Sequence, residues 1–297
     1  MIPATHSRQT AVKSMSLNNS LLCIGLGYSA RYLSLRLLPK GWTVTGTYRE
    51  EPPVDAAERV RLTKYSDVSS EDWAGVSHLL LSAPPGSDGD PVLADFGQAV
   101  HEAENLQWIG YLSTTGVYGD TGGAWVDETS ALNPTNDRGR YRAEAEAAWL
   151  AFGEQKGVPV QVFRLAGIYG PGRSPVDQVK RSAARRIDKL GHAFSRIHVE
   201  DIAAVLEASI DRPSPGAIYN VCDNEPAPQA DVIAYACELL GREPWPLIPF
   251  DEAAAEMSPM ALSFWADNRR VSNKRLREEL GVVLSYPTYR EGLASLV

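Results

Sequence analysis

A doubly wound parallel α/β sheet is the fold class this sequence predicts, and three observations predict it. Short apolar runs alternate with helix-period segments along most of the chain. A glycine-rich turn joins the first apolar run to the first helix, and Pro, Gly and Asp mark the joints between elements. The 297 residues are enough for one large domain or a core with a smaller lobe, and 44% hydrophobic and 22% charged residues are ordinary for a globular chain.

The formal net charge of −8 points away from nucleic acid or an anionic membrane as partner. Three cysteines, Cys23, Cys222 and Cys237, are odd in number and lack metal-ligand spacing, which fits a reduced, cytoplasmic setting. No apolar run reaches the length of a membrane span. Residues 1–19 contain no acid and no apolar block, so secretion is not expected. They read as a disordered tail or as an early start ahead of Met15, with an organellar transit peptide kept as the alternative.

The first strand is Leu21–Ile24, and Gly25-Leu-Gly27-Tyr28-Ser29-Ala30 follows it as G-x-G-x-x-A. The next helix carries Ala30, Leu33 and Leu37 on one face. Strand, glycine turn and helix together form a dinucleotide-binding candidate: Gly25 for the tight turn, Gly27 for approach of a pyrophosphate, and Ala30 for close helix–sheet packing. Phosphates would lie on the free N–H groups around Tyr28 and Ser29 at the helix N-terminus. Trp42–Tyr48 is the second strand. Its end carries Thr47 and then Arg49, with Arg31 just past the glycine turn. Two guanidiniums and no carboxylate suit a ribose 2′-phosphate, so NADP is expected over NAD.

Val60–Leu62 is the third strand, and Asp67 after it either bonds the adenine edge or caps its own turn. Leu79–Ala83 is the fourth strand, entering a Pro84-Pro85-Gly86 loop beside the cofactor at Ala83. Trp108–Leu112 is the fifth, followed by Ser113-Thr-Thr-Gly-Val-Tyr-Gly119. Val158–Leu165 and Tyr219–Val221 are the sixth and seventh. Ligand sites are expected at the C-terminal ends of these strands.

Four segments, in order, resemble one family. Ser113–Gly119 is similar to the S-S-x-x-V-Y-G segment of extended short-chain dehydrogenases/reductases, the NAD-dependent epimerase/dehydratase family. Arg164–Gly172 resembles its R-x-x-N-V-Y-G-P-G loop, Ile197–Asp201 its H-V-D-D segment, and Tyr219–Val221 its Y-N-V. The resemblance runs from Ser20 almost to the C-terminus. It implies a Rossmann-type core over residues 20–170, rejoined by 197–222, and a smaller C-terminal α/β substrate lobe formed by 171–196 and 223–297. It also implies a nucleotide-linked sugar or another small anionic carbonyl or alcohol as substrate, and a homodimer. Thr114 matches the family's catalytic Ser/Thr, whose hydroxyl would bond the reacting oxygen.

The same resemblance implies a Tyr-x-x-x-Lys pair on the next helix, where this chain has Asn136–Glu146. With Tyr141 as the tyrosine, the lysine position is Ala145. With Glu146 aligned to the family's closing glutamate, Arg138 and Arg142 stand for Tyr and Lys, and Gly139 also fits; this second register is preferred. Arg142 would still reach the ribose, Arg138 cannot exchange protons near neutrality, and Tyr141 one position away is either the acid/base or a packing residue. Gly167 stands where the family often has Asn. The chain thus resembles an atypical branch in which cofactor binding persists while the tetrad is altered. An oxidoreductase or epimerase/dehydratase-like enzyme is expected, and a non-catalytic NADP-binding sensor is the alternative.

The basic stretch Lys180, Arg181, Arg185, Arg186 and Lys189 reads as a solvated helix face, with attraction of an anionic substrate as the rival reading. Asp201 reads as the N-cap of a helix over 202–210. Phe264 and Trp265 either roof a ligand pocket or pack the lobe.

Overall fold

The computed structural model describes residues 19–297, so the expected tail lies outside the described residues except for Asn19. The Asn19 carbonyl accepts a hydrogen bond from Thr43 N at 3.0 Å and so extends the pairing of the first two strands by one residue. Seven strands make the central sheet: β1 (Ser20–Ile24), β2 (Thr43–Tyr48), β3 (Val60–Lys64), β4 (His78–Leu81), β5 (Trp108–Thr114), β6 (Val160–Leu165) and β7 (Ile218–Val221). Their spatial order is β7-β6-β5-β4-β1-β2-β3, and every pairing is parallel. The order reverses between β1 and β4, and a crevice opens at that point in a sheet of this kind.

Parallel strands need both faces covered, and the β1 sequence shows how this is met. Leu21 and Cys23 enter one apolar cluster with Leu33 and Leu37 of helix α1 (Tyr28–Leu37), whereas Leu22 and Ile24 enter another on the opposite face. The second cluster is closed by Val92 and Val100 of α2 (Pro91–Glu102) and by Ala145 and Trp149 of α3 (Asp137–Lys156). Helix α4 (Val199–Asp211) lies against α1, and Glu207 joins them by pairing with Arg36 at 2.6 Å and Lys40 at 2.7 Å. A third cluster, with Tyr169, Val176, Ile233 and Leu293, underlies α5 (Gln229–Leu239) and the C-terminal residues.

Strand ends differ from the sequence expectation where hydrogen bonding redirects the chain. The fourth strand stops at Leu81, because Ser82 N and Ala83 N both turn back to Ile24 O, at 3.0 and 3.1 Å. The fifth runs on to Thr114, which pairs with Leu165. Asp201 is not the N-cap of α4. That position is His198, whose Nδ1 accepts from Glu200 N at 3.3 Å. Asp201 instead accepts from Ser285 N (2.7 Å) and Tyr286 N (3.0 Å), tying down the C-terminal segment. The basic stretch is not a helix face either, since its helix, Pro175–Lys180, ends where the stretch begins.

All three cysteines are buried and free. Among the described residues no helix is long and apolar enough to cross a membrane, and no group of His, Cys, Asp and Glu is arranged to hold a metal ion.

Candidate functional site

A cleft of about 1320 Å³ opens along the C-terminal ends of β1, β4, β5 and β6 and extends under the C-terminal residues. At one end it is lined by Tyr28 and Ser29, which directly follow the glycine turn. Gly25 has φ +93°, and a Cβ there would lie 3.1 Å from Ala83 N, so backbone strain and crowding both demand glycine. Gly25 N donates to Thr47 Oγ1 at 2.8 Å. Thr47 is buried, so its part is to hold the turn in place rather than to touch a ligand.

Gly27 is exposed and caps α1 without a side-chain hydrogen bond, and the first turn of α1 contains no acid. A Cβ at Gly27 would meet nothing nearer than Ser82 Oγ at 3.8 Å, so its front is open. Uncapped N–H groups, a helix dipole and open space fit a diphosphate. Tyr28 and Ser29 line the cleft, while Ala30 is buried under α1 as close packing requires. Tyr28 also donates to Pro171 O at 2.9 Å, tying the turn to the loop after β6, and burial pushes its phenol's pKa up.

The residues expected at the adenosine end fall into two groups. Arg49 and Asp67 follow the neighbouring strands β2 and β3; both are exposed, and neither lines the cleft. Asp67 accepts from Ser66 Oγ at 2.8 Å, which is local turn chemistry. Arg31 is ion-paired with Asp55 of the β2–β3 connection, so a carboxylate does stand where none was expected. Among the described residues Arg49 has no ion-pair partner.

At the other end Thr114 lines the cleft half-buried, with Oγ1 accepting from Gly116 N at 3.0 Å. Helix α3 meets this strand end closely: a Cβ on Gly139 would lie 3.0 Å from Gly116 O. Asn136, Arg138, Gly139 and Arg142 face the cleft, and Arg142 donates to Leu112 O. Tyr141 is not among the lining residues. One residue along a helix is a turn of about 100°, and that rotation carries its ring out of the cleft, with Arg140 stacked on it at 4.6 Å. Tyr118 is likewise unavailable. It is buried, donating to Asn220 Oδ1 and accepting from Arg164 Nη1, each at 2.8 Å.

Among the described residues seven arginines line the cleft, Arg138, Arg142, Arg173, Arg181, Arg185, Arg196 and Arg269, and one carboxylate does, Asp267, bonded to Arg269 at 2.9 Å and to Thr135 at 2.6 Å. A strongly cationic cleft thus sits in an acidic protein. Arg181 and Arg185 come from the basic stretch, whereas Lys180 and Arg186 bond main-chain carbonyls elsewhere. Trp265 and the exposed Phe264, on α6 (Pro259–Ala266), form the roof. Sequence reasoning missed Arg269 and Asp267, because their bonds to Gly119 and Thr135 span more than 130 residues of sequence.

The model of the NAD dependent epimerase/dehydratase family matches residues 98–222. Protein YeeZ of Escherichia coli (strain K12) is 31% identical over 238 residues, covering 74% of this chain and 84% of that protein. The structure of a functionally unknown conserved protein from Silicibacter pomeroyi has a TM-score of 0.87 and 52% identity, covering 94% of this chain and 98% of that one. A dTDP-glucose 4,6-dehydratase from Bacillus anthracis, solved in complex with NAD, has a TM-score of 0.73 at 15% identity, covering 93% and 94%, a likeness of fold.

Proposed function

This chain belongs to the NAD dependent epimerase/dehydratase family, and on that premise we propose that it is an NADP-preferring oxidoreductase or epimerase-like enzyme acting on a small anionic carbonyl or alcohol compound, a nucleotide-linked sugar among the candidates. The observation that carries this reading is one cleft joining the open N-terminus of α1 to Thr114 through a lining of seven arginines and a single carboxylate.

The chain's own groups divide the work. Gly25 and Gly27 let a diphosphate reach the backbone, and the free N–H groups of α1 hold it. Arg31 and Arg49 favour a 2′-phosphate at the adenosine end. Thr114 offers a hydroxyl to the reacting oxygen, and Arg142 reaches the same strand end from α3. Hydride exchange is the chemistry the dinucleotide supplies when bound, so a positioned alcohol and polarising donors are what the protein must add.

A second reading, a non-catalytic NADP-binding protein, is favoured by one observation: neither Tyr141 nor Tyr118 lines the cleft. Titration with NADPH and NADH, then a screen of nucleotide sugars and small carbonyl compounds for absorbance loss at the nicotinamide band, separates the two. Binding with turnover supports the enzyme. Binding without turnover on a broad panel supports the sensor.

A further inference from the structure

Arg142 and Arg269 reach one short stretch of backbone from two distant parts of the chain, and Arg138, one helical turn before Arg142, lines the same cleft. Arg142 Nη1 donates to Leu112 O, two residues before Thr114. Arg269 Nη1 donates to Gly119 O at 2.9 Å, and its Nη2 lies 3.9 Å from the place of a Cβ on Gly116; that same Cβ would stand 3.3 Å from Thr114 Oγ1. The helix that carries Arg138 packs closely on this segment, since a Cβ on the next residue, Gly139, would lie 3.0 Å from Gly116 O. All three arginines line the cleft beside Thr114.

The charge there is not balanced from within. Asp267 is the one lining carboxylate, and it is engaged by Arg269 and Thr135. Glu146, one helical turn beyond Arg142, is spent on Arg164 at 2.7 Å. Asp90, at the N-cap of α2, is near enough for its charge and that of Arg142 to interact, but it is buried and two of its contacts are to its own helix. Among the described residues Arg138 has no ion-pair or hydrogen-bonding partner for its side chain. A neutral alcohol would leave this excess in place. An oxyanion would discharge it, and guanidinium forks are shaped to hold carboxylate or phosphate oxygens in pairs.

We propose that the Thr114 end of the cleft is an oxyanion site, in which Arg138, Arg142 and Arg269 hold a carboxylate or phosphate group of the substrate. The inference rests on the reading of Thr114 as the reacting end and deepens it: the substrate carries its charge next to the reacting carbon, in addition to any charge farther along the cleft.

The test is calorimetric titration of the full chain, saturated with NADPH so that the glycine turn is filled, with oxalate and separately with inorganic phosphate. Saturable binding of at least one is expected, weakened about tenfold or more in Arg138→Gln and in Arg269→Gln. Arg140→Gln is the surface control, because that side chain pairs with Asp137 and Glu144 on the same helix, and it should bind like the parent. Tighter binding of oxalate assigns the site to a carboxylate, and tighter binding of phosphate to a phosphate ester. Absence of saturable binding by both, equal affinity in Arg138→Gln and Arg269→Gln, or loss confined to Arg181→Gln overturns the proposal. Arg138 is exposed and unpaired, so its variant keeps the fold. If the chain does not take NADPH, the dinucleotide reading falls, and the same titration without NADPH still decides the oxyanion site.

Discussion

Arg31, one residue beyond the glycine turn, is ion-paired with Asp55 from the connection between β2 and β3. The arginine is largely covered and the aspartate exposed, so the carboxylate can be displaced by a stronger anion without opening the core. A ribose 2′-phosphate bound by Arg31 has to replace Asp55 first. Asp55→Asn should therefore tighten NADPH by roughly 2–10-fold, the range of an exposed ion pair, and leave NADH unchanged. Fluorescence titration of both nucleotides checks this; an equal effect on the two would remove Arg31 from cofactor choice.

Glu146 and Arg164 are paired at 2.7 Å with both side chains buried, and Arg164 stands opposite Ser113 in the sheet. Glu146 also accepts from Ser113, and Arg164 donates to Tyr118, so the pair anchors residues on both sides of Thr114 in the sequence. Glu146→Gln leaves the guanidinium charge buried and unpaired. A loss of about 3–5 kcal/mol in unfolding free energy is expected, read from the denaturant midpoint.

His78 supplies a pH dependence. It is buried between Trp42 and Trp108, and burial pushes its pKa down from 6.5 to about 4. Between those two values the unfolded chain takes up a proton that the folded chain refuses. Stability from this site is complete above pH 6.5 and is lost as pH falls towards 4, by about 3 kcal/mol at most. His78→Phe should flatten that part of the profile in thermal melts from pH 7 to pH 4.

Thr114→Val keeps the shape of the strand end but removes the hydroxyl. Turnover on any substrate found should fall about 100-fold, the scale of losing one donor to the reacting oxygen, while NADPH binding is retained. Unchanged turnover would relocate the chemistry.

The sheet was largely legible in the sequence, because a parallel strand buried on both faces is a local apolar run; Leu21–Ile24 and Val158–Leu165 announce themselves without help, the latter two residues longer than the strand observed. The glycine turn was legible because G-x-G-x-x-A between an apolar run and a helix-period segment is itself a local pattern, although the atoms that crowd Gly25 belong to Ser82 and Ala83. What was not legible depends on pairing across distance. Arg269 reaches Gly119 from 150 residues away, and Asp55 meets Arg31 through a loop with no periodicity. Asp201 looked like a cap because its sequence neighbours allow one, but its carboxylate serves Ser285 and Tyr286. Tyr141 shows the limit in another way: the residue type was suited to the chemistry, and one step around α3 put it outside the cleft.

The central claim is that a dinucleotide's diphosphate sits at Gly27 on the N-terminus of α1, and Gly27→Asp addresses it most directly. A Cβ there meets no atom closer than 3.8 Å, so the backbone takes a side chain and the fold survives, while its carboxylate would occupy and repel the diphosphate. Fluorescence titration should give saturable NADPH binding in the parent chain and a loss of more than about tenfold in Gly27→Asp, with an unchanged thermal midpoint. No binding by the parent, or equal binding by the two, would contradict the account.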